Sequence, residues 1–282
     1  MPKSSMEFMT NSGNTPCGSS KLPEIESLVK SARMGKAAGA NDVDHMDGAA
    51  AAFTYIRVAN LVASRWHAGR IAAPVLDWGC GYGQVSWLLQ NRGVPVLSYD
   101  VQKRPAREHM PPLSSIDIRH GNDPVHLPYP SESVGAVLSV GVLEHVPDID
   151  GSLREINRVL CPGGTFFIFM LPNRYSWVEW IADMRHASAH PVKFTFRTAT
   201  NLLTSHGFEV ERRWKRNFLP KNLTGLAQWF KSAYGSLFRQ IEALDKLLAN
   251  VPPTSLFSGV LEFIARKRQS LEPCGGAASP DM

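Results

Sequence analysis

Val75-Leu76-Asp77-Trp78-Gly79-Cys80-Gly81-Tyr82-Gly83-Gln84-Val85-Ser86 is the stretch that decides the fold. An apolar run ends in an acid, three glycines alternate through a turn, and a helical stretch follows. The order is strand, tight turn, helix. Glycine lets backbone approach a ligand closely and lets φ turn positive. The helix start leaves N–H groups without intrahelical partners, which suits a carboxylate or a phosphate. Asp77 discriminates between ligands by charge: an acid directly ahead of the turn repels a pyrophosphate and attracts an ammonium group. A second acid, Asp100, closes the apolar run Pro95–Tyr99. A carboxylate there can accept two hydroxyls at once.

Outward from this stretch, apolar strands alternate with helical segments. Candidate strands are Pro74–Trp78, Pro95–Tyr99, Ile116–Arg119, Val134–Val140 and Gly164–Met170. The alternation predicts a parallel α/β sheet with helices on both faces and a ligand at the carboxyl ends of its strands. Ala49–His67 has apolar residues at helical spacing and reads as a helix packed just before the first strand. Thr198–His206 reads as a helix stopped by Gly207, with strands Phe208–Trp214 and Ser258–Arg266 after it. Asn217–Pro253 is inserted between those last two strands.

Five elements in this order resemble the class I S-adenosylmethionine (SAM) methyltransferases, in particular the small-molecule branch that includes ubiquinone-pathway O-methyltransferases. They are the D-x-G-x-G-x-G turn at Asp77–Gly83, the acid Asp100, Asp123 ahead of Leu127-Pro128-Tyr129, Leu143-Glu144-His145-Val146, and Leu160-Cys161-Pro162-Gly163-Gly164. The resemblance covers about Ala72 to Phe169. It implies a seven-stranded Rossmann-like sheet closed by an antiparallel hairpin, with an N-terminal helical cap and a helical insert before the last strand. It implies SAM as cofactor and a methyl transfer as the reaction. The glycine turn (Gly79, Cys80, Gly81, Gly83) is then expected to cradle the amino acid end, Asp100 the ribose, and Asp123 the adenine amino group. Val101 and Val140 are placed along the cofactor by the same resemblance. Arg57, on the helix before the first strand, stands near an arginine that pairs with the SAM carboxylate in quinone-pathway relatives; a solvated helix arginine is the alternative.

Two departures stand out. Pro124 has no N–H to offer the adenine ring. Gly135 stands where the fourth strand usually carries an acid, which implies a wider or differently packed site. Gly81-x-Gly83-x-x-Ser86 also loosely satisfies a dinucleotide fingerprint, with Asp100 as its ribose acid. Asp77, Asp123 and the L-E-H-V segment favour SAM.

A hydroxyl acceptor profits from a base that takes its proton. His145 is the candidate, since it follows the fourth strand and its ordinary pKa suits the task; a structural role in closing the loop is the alternative. His190 is the rival. It lies in the insert Asn173–Phe196 together with Trp177 and Trp180, which either wall a substrate lid or dock a helix. Glu144 lacks an identifiable second ligand, so no metal is expected. The acceptor is expected to be a small molecule or lipid-linked saccharide, methylated at oxygen rather than at nitrogen or carbon. The alternatives are a non-catalytic SAM-binding protein, or an N- or C-methyltransferase acting on a small molecule.

The 282 residues suffice for one domain with a large core plus an extension, with 1–48 a mostly disordered or loosely helical N-terminal extension, 49–268 the catalytic domain and 269–282 a flexible tail. A net charge of +5 does not imply nucleic acid, and the basic cluster Arg212–Arg216 is too short to make a nucleic-acid groove. The four cysteines are scattered, without a C-x-x-C pair, which suits a reducing compartment. No signal-peptide pattern appears and no apolar run spans a bilayer, so the reading is cytoplasmic. An apolar stripe from Leu226 to Leu248 follows the basic cluster. It reads either as a helix pair broken at Gly225 or Gly235 and buried on the domain, or as part of a peripheral membrane contact across 212–248.

Overall fold

Val134–Val140 is apolar nearly throughout, and a strand buried on both faces belongs in the middle of a sheet. The computed structural model describes residues 23–186, 190–221, 223 and 227–269, and it places this strand at the centre. The strands are β1 (Val75–Trp78), β2 (Val96–Asp100), β3 (Ile118–His120), β4 (Val134–Val140), β5 (Leu160–Pro172), β6 (Phe208–Arg216) and β7 (Val260–Lys267). They form one seven-stranded sheet in the order β3-β2-β1-β4-β5-β7-β6. The pairs from β3 to β5 are parallel, and β7 runs antiparallel to both β5 and β6. The sheet and its closing hairpin are as the sequence predicts, with the long insert between β6 and β7.

Two layers cover the sheet. One face packs against α1 (Pro23–Ala37), α2 (Ala49–His67) and α3 (Gln84–Gln90) through Val75, Ala136, Leu138, Phe167 and Phe169. The other packs against α4 (Ile149–Val159) and α6 (Phe196–Ser205) through Leu76, Val137, Phe166, Ile168 and Phe263. Alternation along the strands feeds the two layers in turn. A register shift between Val134 and Ala136 sends these two residues to opposite faces.

The N-terminal segment differs from the loose extension expected. Leu28, Ala32, Val43 and Met46 are buried in the same core as α2, so the boundary expected at Ala49 has no counterpart in the packing. Apolar spacing in α1 is what docks it. The expectations for Met1–Ser20 and for the tail Leu271–Met282 lie outside the described residues.

Gly135 also differs from its expected role. It sits at the start of β4, far from the cleft described below, and a Cβ there would lie 2.2 Å from the carbonyl oxygen of Ala72. A glycine lets β4 approach the segment leading into β1. Gly135→Ala is therefore expected to destabilise the fold by about 1–3 kcal/mol, the usual cost of overpacking. Urea titration should show this as a lowered midpoint, with S-adenosylhomocysteine affinity unchanged in the fraction that stays folded.

A candidate cofactor and acceptor cleft

Strand order reverses between β1 and β4, and the crevice beyond the carboxyl ends of such strands is where ligands bind in open α/β sheets. A cleft of about 280 Å³ opens there, walled among others by Trp78, Gly79, Asp100, Val101, Gly141 and His145. That volume is close to the lower end of small-molecule sites, roughly 300 Å³.

The glycine turn is built from the backbone. The N–H groups of Gly79 and Cys80 both donate to the Tyr99 carbonyl, at 2.8 and 3.0 Å. The N–H of Gly81 donates to Asp100 Oδ2 at 2.8 Å. This path needs φ of 69° at Gly79 and 61° at Gly81. A Cβ on Gly79 would also meet the Val142 side chain at 2.6 Å. Gly83 caps α3 in the left-handed region, and Cys80 is buried beneath the turn with its thiol pushed well up by burial.

Asp77 differs from expectation. It is 2% exposed and is not part of the cleft wall. Its Oδ2 accepts the Ser86 hydroxyl at 2.7 Å, and Ser98 donates to Ser86 in turn. Burial pushes its carboxyl up to about 6. Asp77 thus ties the start of α3 to β1 and lies below the cleft wall. Asp100 is the acid that reaches the cleft. Its Oδ1 accepts the Gln102 N–H at 2.7 Å, and Arg104 Nη1 lies 3.1 Å from Oδ2. Arg104 stacks over Tyr82, and the Tyr82 hydroxyl donates to Asp42 from the loop after α1.

Val101 follows Asp100 in the wall and is 42% exposed, an apolar surface open to a ligand. Val140 ends β4 against the α2 side of the core, one residue short of the wall at Gly141. Asp123 is exposed, and its Oδ1 accepts the N–H groups of Val125 and His126, which hold its carboxyl below the usual range. It closes its own loop with one oxygen and leaves the other for a ligand. Pro124, not Asp123, lines the cleft.

Arg57 is a correction. Its guanidinium donates to both oxygens of Glu262 on β7, a carboxylate with no exposure, with Nη1 to Oε2 at 2.9 Å. A buried carboxylate needs a paired cation, and Arg57 is the one in reach. The structure commits this side chain to fastening α2 to β7.

The two rival histidines come together. The rings of His145 and His190 lie 5.4 Å apart, between centroids, although 45 positions separate them in the chain. Burial lowers the pKa of His145, which keeps it neutral near pH 7. His190 donates from Nδ1 to Glu179 Oε1 at 2.9 Å, and this bond raises its pKa. Glu179 belongs to α5 (Trp177–Met184). Glu144 is buried beside them, its carboxyl pushed up by burial to about 7, with Oε2 lacking a hydrogen-bond partner. Donor atoms of Glu144, His145 and His190 lie within 4.8 Å of one another, a donor set that a divalent cation accepts. The second ligand that Glu144 lacks in the sequence is supplied by the fold.

Sequence reasoning missed Arg104, Asp42 and Glu179. Arg104 had a local signal, a cation four positions after Asp100. The other two meet their partners only in the folded chain.

Comparison with known proteins agrees with this geometry. Residues 76–168 match the family model of a methyltransferase domain. A probable S-adenosylmethionine-dependent methyltransferase of Mycolicibacterium smegmatis is 34% identical over 137 residues, which are 49% of this chain and 52% of the relative. A ubiquinone biosynthesis O-methyltransferase of Proteus mirabilis is 30% identical over 134 residues, 43% of this chain and 54% of the relative. The chain therefore spans about half the length of these curated relatives. The crystal structure of the [4+2]-cyclase SpnF superposes with a TM-score of 0.53 at 20% identity, covering 89% of this chain and 96% of the other, which shows a shared fold. Over its β1–β5 core the chain is thus similar to methyltransferase domains, S-adenosylmethionine-dependent ones among them.

The residues fit that cofactor. The close approach of Gly79 to Val142 leaves backbone where an amino acid end would lie, and Asp100 stands where a diol would be accepted. Asp100→Asn is expected to weaken S-adenosylhomocysteine binding by tenfold or more, about 1.4 kcal/mol, in calorimetry. Asp77 makes a different, pH-dependent prediction. Its folded-state pKa is raised, so the native chain holds this proton more tightly than the unfolded one. The stability it contributes is full below about pH 4 and is lost as pH rises through about 6. Relative to Asp77→Asn, the wild type should therefore lose up to about 3 kcal/mol between these limits, measured as the pH dependence of urea unfolding.

Proposed function

We propose that the chain transfers a methyl group from S-adenosylmethionine to a hydroxyl oxygen of a small-molecule or lipid-linked acceptor. The observation that carries this reading is the neutral His145 in the wall of the cleft that also presents Asp100. Bound there, the cofactor supplies an electrophilic methyl on its sulfonium. The glycine turn and Asp100 hold the amino acid and ribose ends, and the free oxygen of Asp123 faces the adenine side. Cys80 packs under the turn, while Val101 and Val140 flank the apolar stretch between those contacts. His145 accepts the acceptor's hydroxyl proton at an imidazole nitrogen as oxygen becomes nucleophilic. Glu179 orients His190 behind it, and the half-buried insert keeps water out.

Support comes from the methyltransferase names of the relatives and from the two histidines at one position. The Arg57 contact expected for the cofactor carboxylate is not available, since Arg57 is committed to Glu262. Nucleic acid is disfavoured as acceptor: Arg212 and Arg213, on β6 at the edge of the sheet, lie over the rings of Trp214 and of Phe196 at the start of α6. A second reading is a SAM-binding protein that does not transfer methyl, and the cyclase fold-mate shows that this architecture serves more than one reaction.

Incubation of the purified chain with methyl-labelled SAM and a fractionated metabolite and lipid extract tests the proposal. Label should enter an alkali-stable ether or an ester with a 14-dalton gain. His145→Ala should lower the transfer about a hundredfold, within the range of general-base removal, while S-adenosylhomocysteine affinity changes little. Because the pKa of His145 is lowered, wild-type transfer should rise with pH and level off below the ordinary histidine value of about 6.5. Binding without label transfer to any fraction would favour the non-catalytic reading.

A further inference from the structure

Large apolar side chains left in water are not spread over this molecule. Of the thirteen that are exposed among the described residues, eleven lie in the stretches 173–196 and 217–257. The most open are Trp229 at 74% and Trp180 at 62%. A concentration of this kind marks an interaction surface, since monomers seldom expose large contiguous apolar patches.

The two stretches are one assembly. Trp177 Nε1 donates to the Phe218 carbonyl at 2.8 Å, and the Asn173 side chain donates to the carbonyls of Leu256 and Ser258. Tyr234 of α7 (Gln228–Ser236) donates to the Pro220 carbonyl, and Asp245 of α8 (Phe238–Leu248) accepts the N–H groups of Asn217 and Leu219. Within α8, Phe238 and Asp245 face inward. Leu237, Leu244 and Leu247 project on another side, within about 80° of arc at 100° per residue, and are exposed. On α5, Trp180 and Met184 are likewise exposed, one turn apart, while Trp177 is the residue that docks the helix. The stripe therefore divides: it breaks at Leu237 rather than at Gly235, only part of it is buried, and Gly225 lies outside the described residues. Leu226 lies outside the described residues.

Charge indicates the occupant. Residues 173–257 hold twelve Lys and Arg against six Asp and Glu, a net +6, whereas the whole chain is +5. The two stretches 173–196 and 217–257 themselves hold seven Lys and Arg against four Asp and Glu, a net +3, and the segment between them holds the other +3. Arg174, Arg185 and Lys246 are exposed, without an ion pair among the described residues. Apolar side chains flanked by unpaired cations match a bilayer surface with anionic headgroups.

We infer that the two inserts form one face that docks on an anionic lipid bilayer. No helix among the described residues is long and apolar enough to cross a membrane, so the contact is peripheral. His190, oriented by α5, reaches from this face to His145 in the cleft. A bilayer-resident acceptor would thus enter beside the histidines; that link rests on the methyl-transfer reading, whereas the docking itself does not.

Flotation of the full chain with vesicles of phosphatidylglycerol and phosphatidylcholine tests this. The chain should float with the mixed vesicles, less with phosphatidylcholine alone, and less again when salt is raised to about 1 M. Leu244→Glu/Leu247→Glu, and separately Trp180→Ser, should lower the bound fraction about tenfold or more while S-adenosylhomocysteine binding persists, which shows that the variants fold. A wild-type chain that binds S-adenosylhomocysteine but does not float would overturn the inference. So would flotation that the substitutions leave unchanged, or a dimer in solution that they dissolve without any lipid binding. Flotation by a chain that never binds S-adenosylhomocysteine would uphold the docking face and count against the methyl-transfer reading.

Discussion

Three consecutive backbone N–H groups, those of Gly79, Cys80 and Gly81, are given to the end of β2: two to the Tyr99 carbonyl and one to the Asp100 carboxylate. The candidate site depends on this arrangement. It joins the carboxyl ends of β1 and β2, turns the chain into α3, and aims the Asp100 side chain at the place where the turn leaves room. Side chains at these glycines would be strained by positive φ, and one at Gly79 would also collide with Val142. The rest of the sheet serves to hold those two strand ends in register.

Charge is divided between two acids that look alike in sequence. Asp77 sits below the turn, desolvated and bonded to Ser86. Asp100 sits at the turn's rim, held by N–H donors and by Arg104. The first supports architecture and the second lines the cleft. Asp77 holds its place in the motif but lies one layer below the cleft wall, because burial at a strand end depends on what packs over it.

Beyond the sheet, the inserts define the chemistry. Asp245 and Lys221 anchor the β6–β7 insert through buried polar contacts, and Arg57 and Glu262 fasten α2 to β7 nearby. The insert after β5 carries Glu179 and His190 to His145. A rigid frame with variable inserts lets one fold present different acceptor surfaces. Here that surface is aromatic, leucine-rich and basic.

The sequence by itself determined the succession of strands along the chain up to β5, the glycine turn, Asp100 and the interrupted terminal hairpin. Those features are written in local period, in glycine placement and in acids at strand ends, which need no distant partner to be read. Only the tertiary structure decided that Arg57 belongs to Glu262, that Asp77 lies away from the cleft, that residues 23–48 share the core, and that His145 and His190 meet. Each of these is a contact between segments far apart in the chain. Such a contact is selected by which buried charge or apolar face lacks a partner once the sheet has closed, and no local pattern records that.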